Sequence, residues 1–148
     1  MSTPAAQLRG FIAKYSPEVA SDARSVLAWM RKRLPGAVEL VYDNFNWLVV
    51  GFGPNDRASE AVFSIILAPR WVTLCFLQGA RLKDPGRILR GGGKQVRSIR
   101  LIGDTTLASP DVRALIDQAV AKARTPFNPK ARRRLLIRAV VAKQRPRR

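Results

Sequence analysis

Histidine is absent from the chain, and cysteine occurs once, as Cys75. Without histidine, the usual general base and the commonest nitrogen ligand for metals are missing. Serine–histidine and cysteine–histidine nucleophile pairs are excluded. A single cysteine permits no intrachain disulfide and cannot supply a structural zinc site. Cys75 falls inside an apolar, strand-like run and reads as a small core residue. Acids are scarce: 10 Asp and Glu stand against 27 Lys and Arg, for a net charge of +17. No apolar run approaches the roughly 20 residues that span a bilayer. The first residues, MSTPAAQLRGF, lack the basic start and apolar core of a signal peptide. Together these absences predict a cytoplasmic, non-enzymatic protein with no membrane span and no resident cofactor.

What is present suits one globular domain. The chain has 148 residues and is 47% hydrophobic, enough to build a core without metal or disulfide staples. Leu8, Phe11 and Ile12 share one side of a short opening helix over residues 5–15. Ser16-Pro17-Glu18 is then a helix start, with a capping hydroxyl, a proline suited to the first position and an acid at the positive end of the dipole. Val19, Ala23, Val26, Leu27, Met30 and Leu34 follow at helical spacing, and Pro35-Gly36 stops the helix. Residues 38–42, 45–52, 61–68, 71–77 and 96–102 read as strands. Ser109-Pro110-Asp111 opens another amphipathic helix, ending near Arg124. Helices, then strands, then a helix predict an α+β domain over residues 1–125: an antiparallel sheet with helices packed on one face.

The charge is uneven. Residues 126–148 carry nine cations and no acid. This tail reads as either a helix over residues 132–143 or a disordered arm. Arg132, Arg133, Arg134, Arg138, Arg145, Arg147 and Arg148 would contact phosphates if it bound nucleic acid. The compositional alternative is coding bias, since the chain has 20 Arg and 7 Lys.

A second basic cluster lies at Gly91-Gly92-Gly93-Lys94 and Arg97. It lacks the spacing and hydroxyl of a Walker loop. Consecutive glycines nevertheless let backbone N–H groups converge on an anion, with Lys94 and Arg97 adding charge. Arg70 and Trp71 would wall such a site. The simpler reading is a solvated turn. Glu18 and Asp22, four apart on the first long helix, are the candidate metal ligands; acids near a helix start more often serve the dipole. Glu39 and Asp43 share that spacing in a segment read as extended. Among the aromatics, Trp29, Trp47, Phe63 and Phe76 read as core, and Trp71 as the exception beside a basic loop.

The run Pro69-Arg70-Trp71-Val72-Thr73-Leu74-Cys75-Phe76-Leu77-Gln78-Gly79-Ala80, then Leu82 and Asp84-Pro85, then Gly91-Gly92-Gly93-Lys94-Gln95-Val96-Arg97-Ser98-Ile99, resembles the YdhG-like family of domains of unknown function. The resemblance extends more loosely over residues 8–124 and leaves the tail outside. It implies a frataxin-like α+β fold. At least one relative is regarded as an intracellular iron chaperone, which implies iron at Glu18 and Asp22; the same helix carries Arg24, Arg31, Lys32 and Arg33. Three partners therefore stay open: a small anion or polyanion at the basic loop, nucleic acid at the tail, and iron at the first long helix.

Overall fold

The computed structural model describes residues 2–148. Two helices open the chain, α1 (Pro4–Ala13) and α2 (Pro17–Arg33). Strands β1 (Val38–Asp43), β2 (Leu48–Gly53), β3 (Phe63–Leu67), β4 (Val72–Phe76) and β5 (Arg97–Leu101) follow. Helix α3 (Pro110–Ala121) and strand β6 (Arg134–Val140) complete the fold. Short 3-10 turns at Ala58–Glu60, Gly79–Arg81 and Thr106–Ala108 link the elements. The architecture is α+β.

The start of α2 forms as its residues dictate. The Ser16 hydroxyl accepts from the Val19 N–H at 3.3 Å, Pro17 takes the first helical position, and Glu18 lies in the first turn. Arg31, Lys32 and Arg33 occupy the last turn. Gly36 then turns the chain at φ +82°, a conformation that disfavours any side chain.

The sheet runs β5-β4-β3-β2-β1-β6. Strands β1 to β5 form an antiparallel meander, whereas β6 pairs with β1 in parallel. The sheet is thus mixed rather than antiparallel throughout. The tail expected to be a helix or a disordered arm instead supplies this sixth strand. Its apolar run Leu135-Leu136-Ile137 satisfies the backbone edge of β1, and a register shift between Val41 and Tyr42 accommodates Arg138 as an extra residue.

Alternation assigns the two faces of the sheet. Val41, Leu48, Val50, Phe52, Phe63, Ile65, Leu67, Val72, Leu74, Phe76, Ile99 and Leu101 point toward the helices and form one core with Val26, Leu27, Met30, Leu115 and Ile116. Phe63 and Phe76 meet edge-on, with centroids 5.6 Å apart. Tyr42, Val49, Ile66, Thr73 and Arg100 lie on the opposite face, which no helix covers. Tyr15, buried after α1, fastens the two layers: its hydroxyl donates to Leu67 O at 2.8 Å and accepts from Leu48 N–H at 3.0 Å. Burial raises its pKa above the ordinary phenol value.

Candidate functional site

Two acids stand inside the core layer. Glu39 and Asp43, both on β1, are fully buried. A buried carboxylate requires cations and hydrogen bonds, and the opening helices and the tail provide them together. Arg31 grips Glu39 with contacts of 2.8, 3.0 and 3.2 Å, and Arg133 adds a bond of 2.8 Å. Asp43 pairs with Lys14 at 2.8 Å and with Arg147 at 2.9 Å. Arg147 is itself buried and also donates to Asn44 O at 2.6 Å. Burial pushes the Asp43 carboxyl up, but Lys14, Gln144 and Arg147 around it outweigh that effect and hold it below its ordinary value.

The other tail arginines are similarly engaged. Arg134 pairs with Asp56 at 3.5 Å, and Arg138 donates to the Asp56 carbonyl. The Arg145 guanidinium lies over the Phe45 ring, and Arg148 donates to Lys14 O at 3.2 Å. Only Arg132, of the seven arginines expected to contact phosphates, has no intramolecular partner among the described residues. The tail is therefore a strap across the β1 edge rather than a free basic arm. The spacing of Glu39 and Asp43 was visible in the sequence, since residues four apart in a strand share a face. Their partners lie up to 104 residues away, beyond any local pattern.

The basic loop also differs from expectation. Arg70 and Trp71 lie in the β3–β4 turn, beside the Val72↔Leu101 pair. The 91–97 loop joins β5 at the other end, where Phe76 pairs with Arg97. Four residues of strand, about 13 Å, separate the two ends, so these residues do not form one groove. Arg97 is also turned to its own loop, donating to Gly93 O at 2.7 Å and Val96 O at 2.9 Å. Gly91 takes φ +119° against the Val96 carbonyl, while Gly92, Gly93 and Lys94 are exposed. Glu18 is exposed, and Asp22, one turn later, is half-buried beside Gly103. No group of three or more His, Cys, Asp or Glu among the described residues is placed to hold a metal ion.

The cluster that does assemble is at the Trp71 end of the sheet. The β1–β2 turn carries Phe45 and Trp47, and the β3–β4 turn carries Arg70 and Trp71. Ile102 follows the last residue of β5 at this level, and β6 ends here at Val140, followed by Val141, whose N–H donates to Asp43 O. Phe45, Trp47 and Trp71 remain about two-fifths exposed. Of the seven large exposed apolar residues in the described chain, only Val96 lies elsewhere.

Arginines are interleaved with them. The Arg100 guanidinium stacks 4.0 Å from the Trp71 ring centre, and Arg145 covers Phe45 at 5.7 Å, both cation–π arrangements. Trp47 alternates with the buried Leu48, and Trp71 with the buried Val72; Leu48 and Val72 flank Leu67 on either side. The two tryptophans therefore lie two strands apart, about 10 Å, with only the small Ala68 between them. Asp104 and Asp22 limit the patch past Ile102. No family model matches the chain, and the comparisons with curated proteins and with solved structures found no match.

Proposed function

We propose that this chain is a non-enzymatic domain that binds single-stranded nucleic acid at the aromatic end of its sheet, on a frataxin-like fold of the YdhG-like kind. The gathering of Phe45, Trp47 and Trp71 with Arg70, Arg100 and Arg145 on a sheet end whose own acid, Asp43, is buried and paired carries the proposal. Stacking platforms beside basic side chains are what unpaired bases and their phosphates require. The field of a +17 protein favours the arrival of such a polyanion. Five of the ten acids are paired with seven of the 27 cations, which leaves five acids and twenty cations outside ion pairs. The iron-chaperone reading has only Glu18 and Asp22 to support it, within a strongly positive surface.

Fluorescence anisotropy of a labelled oligothymidine, alone and as a duplex with oligoadenine, tests this reading across a salt series. Each tryptophan changed to alanine should weaken single-strand binding by about 1–3 kcal/mol. Changing Arg70, Arg100 and Arg145 to alanine should reduce the slope of log K against log salt by about 2, at roughly 0.7 per phosphate. Tighter binding to the duplex, or unchanged affinity in the Trp47→Ala/Trp71→Ala variant, overturns it.

A further inference from the structure

The opposite end of the domain holds a second feature. A cavity of about 480 Å³ opens between the β2–β3 connection, the Gly79–Arg81 turn and the end of α3. This volume falls in the range of small-molecule sites, roughly 300–1,000 Å³. Its apolar wall is made by Val62, Phe76, Leu82 and Ala119. Phe76 belongs to the central core, so this wall is rigid. Arg81, Lys122 and Arg124 surround the opening.

The polar groups around this cavity differ from the arginines of the strap. Lys122 is tied to the Arg81 carbonyl at 3.0 Å. The side chains of Arg81, Arg124, Gln78 and Gln95 have no hydrogen-bond or ion-pair partner within the described protein. Gln95 is nonetheless fixed in place, because its carbonyl accepts from Ala80 N–H at 2.9 Å. One acid, Glu60, borders the cavity, and it is already satisfied. It accepts from the Thr125 hydroxyl and pairs with Arg57 at 3.2 Å. The glycine-rich loop thus contributes Gln95 rather than Lys94 to this wall.

We propose that this cavity binds a small organic anion with an apolar body. The anionic group would lie between Arg81 and Arg124, with amide donors from Gln78 and Gln95. The body would cover the half-buried Val62 and Leu82, since Phe76 and Ala119 are themselves buried. Charge-assisted bonds from guanidinium groups orient such an anion, and the apolar wall selects against free inorganic ions. The inference is independent of nucleic-acid binding, because Trp47 and Trp71 are at the other end of the strands.

The test uses the full chain with anilinonaphthalene sulfonate, an aromatic anion whose emission reports transfer out of water. Its neutral relative phenylnaphthylamine is the control for shape alone. The expected result is saturable binding of one sulfonate per chain. Binding should weaken at least about tenfold in Arg81→Ala/Arg124→Ala, the loss of charge-assisted hydrogen bonding. It should be unchanged in Trp47→Ala/Trp71→Ala, and the neutral compound should bind more weakly than the sulfonate. All four substituted side chains are exposed, so folding, checked by circular dichroism, should persist in each variant. Equal affinity of the arginine variant overturns the proposal. So does loss of binding in the tryptophan variant, equal binding of the neutral compound, or no saturable signal up to about 1 mM.

Discussion

Changing Arg147 to alanine isolates the role of the strap. Asp43 is fully buried, and Arg147 supplies one of its two ionic partners at 2.9 Å. The same guanidinium satisfies Asn44 O. Removing one partner of a buried pair typically costs about 3–5 kcal/mol, because the other charge is left uncompensated. Lys14 remains at 2.8 Å, although its side chain is 40% exposed. The expected loss is therefore at the low end, about 3 kcal/mol. For a chain of this size that corresponds to a fall in Tm of roughly 6–12 °C. Arg132→Ala, at an exposed and unpartnered arginine, should change stability by less than about 0.5 kcal/mol.

Acid dependence supplies a second reading of the same variant. The Asp43 pKa is lowered in the folded state from 3.8. Its ionic contribution is therefore complete above that value and is lost as the pH falls through the lower folded pKa. Wild-type stability measured by urea unfolding between pH 6 and pH 2 should contain this loss, and Arg147→Ala should show less of it. Equal Tm values for Arg147→Ala and Arg132→Ala, with superimposable acid profiles, would refute the strap as a structural element.

Two further outcomes follow from the fold. Tyr15→Phe removes the hydroxyl that joins Leu67 O to Leu48 N–H and should cost about 1–3 kcal/mol in chemical denaturation, because two buried backbone groups lose their partner. Gly36→Ala should destabilise by more than about 1 kcal/mol: its φ is +82°, and an added Cβ would meet the carbonyls of Asn128 and Ala131, the latter at 2.8 Å. A melting temperature within error of wild type would contradict either expectation.

The elements set by local chemistry were legible in the sequence. The Ser16-Pro17-Glu18 start, the Pro35-Gly36 stop and the five meander strands rest on caps, turns and alternation over a few residues. Strand β6 was not, for two reasons. Its extra residue at Arg138 interrupts the period of two, and its charged neighbours resemble a solvated arm until Glu39 and Asp43 are set beside them. The candidate sites divide in the same way. Trp71 stood out because it follows Arg70 at a turn. Trp47 looked like a core residue, since Asp43-Asn44 reads as a complete turn with a strand resuming at Phe45, whereas the turn runs through residues 44–46 and leaves the indole outside. The separation of Trp71 from the 91–97 loop follows from strand direction, which composition does not encode.

The parallel pairing of β6 with β1 also bears on how the chain is made. The tail cations that meet Glu39 and Asp43 lie 94 and 104 residues further along. At ordinary synthesis rates of about 5–20 residues per second, that interval lasts about 5–20 s. During it, β1 is an exposed strand edge, the kind of template on which chains pair wrongly. Two carboxylates facing inward from that edge make a foreign strand costly to accept, since a mispaired partner without matching arginines would bury both charges with only Lys14 and Arg31 to compensate them. The residues that later hold the strap in place thus protect the position while it is vacant.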